Sequence, residues 1–158
     1  MKNSTLLIIF GIVVLIIFLF RKPINKAMTR GYKNNNPGNI RLTATKWKGE
    51  IDGDDKSFKK FKSMAYGYRA LFALLREYIS KGYNTIDKII NRYAPGNENN
   101  TEAYINTVVK KTGIDRNTIL TFAEINRITD IVAAISFVEN GIAPDSSDIN
   151  NGYKILMS

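Results

Sequence analysis

The chain has 158 residues, enough for one domain, and its 23 basic against 14 acidic residues give a formal charge of +9. It contains no Cys and no His, which excludes disulfides, thiol nucleophiles, His bases and zinc sites built on those ligands. Chemistry in such a chain rests on carboxylates, Lys, Tyr, hydroxyls and backbone amides, with no metal and no cofactor expected.

Residues 6–20 carry no polar side chain. A membrane-crossing helix needs roughly 17–25 residues, a length this run reaches with Ser4 and Thr5. A cleaved signal peptide would show small residues after the apolar stretch, whereas this one ends in Phe-Leu-Phe followed by Arg21, Lys22 and Pro23. The sequence therefore predicts an uncleaved, single-pass membrane anchor over residues 1–22, a basic connector over 23–30, and one domain over 31–158. Arg21, Lys22, Lys26 and Arg30 outweigh Lys2, which by the positive-inside rule leaves the domain on the cytoplasmic side of a cell membrane. The rule does not govern a phage virion with an internal lipid layer, the other location expected, so the orientation stays open.

Residues 31–62 are rich in Gly, Asn and Asp, with isolated apolar residues at Ile40, Leu42, Trp47, Ile51, Phe58 and Phe61. Short strands or loops are expected there. Four helices follow. Leu71, Leu74, Leu75, Tyr78 and Ile79 place one over 64–81, ahead of Gly82. A shorter one covers 85–93 and ends at Ala94-Pro95-Gly96. Tyr104, Ile105, Val108 and Val109 mark a third over 101–112. The last opens on Thr121-Phe122-Ala123-Glu124, which fits a capping box. Its apolar stripe runs through Ile128, Val132 and Ile135 and ends near Gly141.

Glu139 lies on that stripe. At about 100° per residue it falls within roughly 20–40° of Ile128, Val132 and Ile135. In the last turn, partial burial and the negative end of the helix dipole both raise a carboxyl pKa. A glycosidase general acid needs that property. The alternative is a helix that runs out into solvent with Glu139 exposed.

The segment Arg30-Gly31-Tyr32-Lys33-Asn34-Asn35-Asn36-Pro37-Gly38-Asn39-Ile40-Arg41 continues to Trp47-Lys48-Gly49, Phe58-Lys59-Lys60-Phe61 and Gly67-Tyr68-Arg69-Ala70. With its Asn-Asn-Pro-Gly-Asn-Ile-Arg signature it resembles phage-encoded, virion-associated peptidoglycan-degrading domains. It is also similar to the stretch after the catalytic Glu of lysozyme-like folds. Tyr93-Ala94-Pro95, Glu98-Asn99 and Tyr104 resemble the same phage group. No acid precedes Asn34, where such enzymes carry their catalytic Glu. Ile-Val-Ala-Ala-Ile-Ser-Phe-Val-Glu-Asn-Gly, ending at Gly141, nevertheless looks like the Glu-bearing helix of lytic transglycosylases. The resemblance thus implies a mainly α, α+β lysozyme-like domain, circularly permuted, behind the membrane helix.

It also implies an activity. Glu139 would protonate the glycosidic oxygen between N-acetylmuramic acid and N-acetylglucosamine. A lytic transglycosylase needs no second carboxylate. A two-carboxylate hydrolysis stays open, with Glu50, Asp52, Asp54, Asp55 or Glu98 as the partner. Asn34, Asn35, Asn36, Asn39, Arg41, Trp47 and Tyr93 are the expected substrate-binding residues. The Asn side chains suit acetamido groups or else serve as turns and caps. Trp47 suits a sugar face or else the core. Lys46, Lys48, Lys56, Lys59, Lys60 and Lys62 are expected near the cleft, facing an anionic wall polymer. Expected partners are peptidoglycan, a lipid membrane and other virion capsid or membrane proteins, with nucleic acid disfavoured because the basic residues form no single stripe. The rival class is a non-catalytic virion module that binds the wall.

Overall fold

A computed structural model describes residues 29–96 and 100–158. The chain order is α1 (Arg30–Lys33), β1 (Glu50–Ile51), β2 (Lys60–Phe61), α2 (Met64–Ser80), α3 (Ile86–Tyr93), α4 (Thr101–Thr112), α5 (Ile125–Asn140) and α6 (Ser146–Met157). The two strands pair antiparallel, Glu50 opposite Phe61 and Ile51 opposite Lys60. A single further bridge joins Arg41 to Phe58.

α2 is the central helix. Tyr68, Leu71, Phe72 and Leu75 are fully buried on it, against Ile86, Ile89 and Ile90 of α3 and Ile128, Ile131, Val132 and Ile135 of α5. The Tyr68 hydroxyl, pushed well above its ordinary pKa by burial, meets the Ser136 hydroxyl at 2.9 Å inside this core. α4 packs on α5, and α6 lies along α2. Gly113 and Gly141 end α4 and α5 in the left-handed conformation that favours glycine.

The Asn-rich loop between α1 and β1 has its own internal frame. Asn36 is fully buried. Its amide donates to the carbonyls of Ile40 (3.0 Å) and Lys59 (2.9 Å), and its side-chain oxygen accepts the Ile40 N–H at 2.8 Å. Asn35 and Asn39 have positive φ, 50° and 46°, a region that Asn tolerates better than most residues. Asn140 closes the loop from the other side, donating to Pro37 O at 2.8 Å and to Ser136 O at 2.9 Å. Gly31 has to be glycine, because a Cβ there would sit 2.2 Å from Asn140 Oδ1.

A second frame holds the strap over residues 41–47. Lys59 is buried completely, and its ammonium donates to Glu50 Oε1 (3.0 Å), Thr43 O (3.2 Å) and Thr45 O (2.8 Å). Burial alone would raise the Glu50 pKa. The hydrogen bond from Trp47 N–H and the Lys59 ammonium outweigh it and hold the carboxyl below its ordinary value.

Several expectations need correcting. Among the described residues no helix is long and apolar enough to cross a membrane. The longest, α2, has 17 residues and carries Arg69, Arg76 and Glu77. The fold is a mainly helical domain with two two-residue strands, and the single-pass membrane helix and membrane location are set aside. The apolar run at 6–20, with the expected anchor and most of the connector, lies outside the described residues. The capping box forms only in part: Glu124 reaches back to Thr121 N–H at 2.9 Å, but α5 begins after it, with Glu124 itself at the N-cap. α1 and α6 were not anticipated.

Asn36→Ala would leave one N–H and two carbonyls without their partner. Each stranded buried group costs about 1–3 kcal/mol, so urea denaturation is expected to show a loss of about 3 kcal/mol or more.

Candidate active site

The Glu139 side chain sits in the last turn of α5, half-buried. Its two oxygens have separate partners. The Asn39 amide donates to Oε2 at 3.0 Å, and the Tyr104 hydroxyl of α4 donates to Oε1 at 3.0 Å. The same Asn39 nitrogen lies 3.4 Å from the main-chain carbonyl of Glu139. Desolvation dominates the electrostatics and raises the Glu139 pKa, while the Asn39 and Tyr104 hydrogen bonds and the charge of Arg41 pull the other way. The net direction is upward, as a proton donor near neutral pH requires.

The carboxyl opens into a cleft of about 500 Å³. Asn39, Arg41, Trp47 and Tyr93 line it, along with Leu74, Glu77 and Tyr78 of α2 and Arg92 of α3. The Tyr93 hydroxyl donates to the Gly38 carbonyl, and its ring meets Tyr104 edge-on with centroids 6.5 Å apart. Burial raises both phenols well above their ordinary pKa, and the Glu139 charge adds to it. Both therefore stay protonated as donors. Arg41 sets its guanidinium 5.2 Å from the Phe58 ring centroid at the cleft wall.

Of the residues singled out from sequence, the structure brings Glu139, Asn39, Arg41, Trp47 and Tyr93 to one cleft. Asn34, Asn35 and Asn36 do not line it. Asn34 donates to Asp55 at 2.9 Å, Asn35 donates to Phe61 O at 2.9 Å, and Asn36 braces the loop. Their amides are spent on the protein's own acceptors. The acids at 50–55 also have other work or none: Glu50 pairs with Lys59, and Asp55 binds Arg30 at 2.9 Å and caps Ser57 and Phe58, whereas Asp52 and Asp54 are exposed. Glu98 lies outside the described residues. Of the six lysines expected near the cleft, none lines it; Lys59 is interior, Lys62 lies over the Tyr66 ring at 4.1 Å, and Lys46 stands beside it on the neighbouring strap.

Glu77 and Arg92 were not singled out from sequence, and Tyr78 and Tyr104 were read there as helix-stripe residues, Tyr104 also within the phage resemblance, but not as site residues. Tyr78 and Leu74 are one turn apart on α2, so the spacing that marks them as core also describes a cleft wall. Among the described residues no group of three or more acidic side chains converges to hold a metal.

The raised pKa has a consequence for stability. The unfolded chain ionises Glu139 near 4.5, the folded chain only at higher pH. Between those values the native state binds the extra proton, so this group's contribution to stability is full below about 4.5 and is lost as pH rises through the folded value. Glu139→Gln lacks that loss. Thermal melts at several pH values should show the variant gaining on the wild type from acid to neutral pH, and a constant difference would contradict the burial described.

No protein-family model matches the chain. Over 144 residues it is 40% identical to Protein P5 of Pseudoalteromonas phage PM2, with 86% of each chain covered. Identity at that level over that span places the chain in the same family as this bacteriophage Protein P5.

Proposed function

We propose that the domain cleaves the glycosidic bond of peptidoglycan between N-acetylmuramic acid and N-acetylglucosamine, with Glu139 as the acid. One observation carries the reading: a desolvated carboxyl with a raised pKa, fixed by two separate donors, at the wall of a cleft that also carries aromatic side chains. The resemblance of the Asn34–Arg41 segment to phage wall-degrading domains supplies the substrate class.

Protonated Glu139 gives its proton to the leaving glycosidic oxygen as the bond to the anomeric carbon breaks. The carboxylate that forms is held by Asn39 and Tyr104, whose hydrogen bonds strengthen as its charge develops. It then takes the proton from the muramyl 6-hydroxyl as that oxygen closes on the anomeric carbon. The product is a 1,6-anhydro sugar and no water is consumed. This route asks for one carboxylate. Among the described residues the other carboxylate lining the cleft, Glu77, is held by Lys81 at 2.5 Å. Trp47, Tyr78 and Tyr93 offer ring surface against sugar faces.

Purified wild type is expected to degrade peptidoglycan with a rate that falls as pH rises through the raised Glu139 pKa. Glu139→Gln should lower the rate by about 100-fold or more while keeping stability within about 1 kcal/mol. Glu77→Gln should leave most of it. Mass spectrometry of the fragments distinguishes anhydro ends from hydrolysed ends, which are one water heavier. Full activity in Glu139→Gln removes Glu139 from the mechanism. Retention of the polymer by an inactive wild type would leave a wall-binding module.

A further inference from the structure

A second cleft of about 580 Å³ adjoins the first, and Thr45, Trp47 and Glu77 line both. Its floor is one face of α2, where Arg69, Ala73, Arg76, Glu77 and Ser80 recur at helical spacing. Its roof is the strap carrying Thr45, Lys46 and Trp47, held by the buried Lys59 ammonium through Thr43 O and Thr45 O.

The charges in this cleft are not balanced. Glu77 pairs with Lys81, and Lys46 reaches Glu50 at 3.4 Å. Arg69 and Arg76 have no carboxylate partner among the described residues. Arg76 lies over the Phe122 ring at 5.9 Å. The two guanidiniums feel each other: burial first, and then the Arg76 charge, lower the Arg69 pKa from its ordinary value. Two donors here are also buried without an acceptor, Arg69 Nε and Trp47 Nε1. A buried donor without a partner is unfavourable, and a guanidinium fork matches a carboxylate with two parallel hydrogen bonds.

We propose that this second cleft is a carboxylate-binding subsite that receives the peptide branch of the polymer whose glycan occupies the Glu139 cleft. The choice of branch rests on the peptidoglycan reading above, whereas the carboxylate chemistry rests on Arg69, Arg76 and Trp47 alone. The shared wall at Trp47 lets one branched ligand enter both clefts, with the glycan along Asn39 and Glu139 and the peptide along α2.

Trp47 is the only Trp in the chain, so its fluorescence reports on this site directly. The full chain is titrated with a soluble stem tetrapeptide (L-Ala, γ-D-Glu, a diamino acid and D-Ala), with the same peptide fully amidated, and with inorganic phosphate. A saturable change with the acid peptide, absent with the amide and with phosphate, is expected. Arg76→Gln, whose side chain is exposed and tolerates replacement, should weaken binding about tenfold, the scale of one charge-assisted contact. The Arg69→Gln, Arg76→Gln double variant should weaken it further. Glu139→Gln should bind as the wild type does. An equal response to the amidated peptide, a response to phosphate of the same strength, or no response overturns the subsite. The two readings fail separately. Peptide binding without polymer cleavage leaves the subsite standing and removes the glycosidase, and cleavage without peptide binding does the reverse.

Discussion

The buried amide of Asn36 is the contact on which the rest of the site depends. It ties the start of the Asn-rich loop to its end at Ile40 and to the β2 side at Lys59. Between those anchors Asn39 adopts a left-handed backbone, and from it the Asn39 amide reaches Glu139. From the opposite side, Asn140 fastens the end of α5 to Pro37. Two neighbours in sequence thus do different jobs. Asn140 sets where the helix end sits, and Glu139 presents its carboxyl to the loop so positioned.

Among the described residues the Glu139 carboxyl has no ion-pair partner. Its direct partners are an amide and a phenol, both neutral, and the charge of Arg41, an exposed residue, acts on it without outweighing burial. Neutral donors steady a carboxylate less than an ion pair does, which leaves the protonated form accessible. Glu50 shows the contrast within one chain. It is also a burdened carboxyl, yet Lys59 sits against it and its pKa moves down. The two glutamates are therefore driven in opposite directions, Glu139 upward by its burial and Glu50 downward by the Trp47 N–H and the Lys59 ammonium that face it.

The helical frame is largely legible in the sequence, because α2 to α5 each carry an apolar stripe at helical spacing that becomes the core. The position of Glu139 on such a stripe is legible too. α6 is less so: Ile149 and Leu156 are its buried apolar residues, separated by Asn150, Asn151 and Gly152, which read as a turn. The asparagines are chemically ambiguous in the sequence. An amide that can hold an acetamido group can equally hold a backbone carbonyl, and only the fold shows that Asn34, Asn35 and Asn36 are committed inward while Asn39 faces the cleft. Lys59 is hidden for the same reason. A lysine in a basic run reads as surface, and nothing local reveals that Glu50, Thr43 and Thr45 close over it.

Gly152 links the back of the molecule to its front. α6 seats this residue against the backbone of α2, where a Cβ would fall 2.9 Å from Ala65 O and from Arg69 N and 2.6 Å from the Tyr68 Cβ. Backbone cannot rotate away, so a side chain at 152 acts as a wedge that lifts α6 or tilts α2. α2 is the wall or floor of both clefts, and a tilt there is felt at Tyr78 and Arg76 together. A small residue placed at 152 thus makes a conditional allele: tolerated in the cold, where the packing can strain to admit it, and lost on warming, with no change to any residue of the clefts themselves.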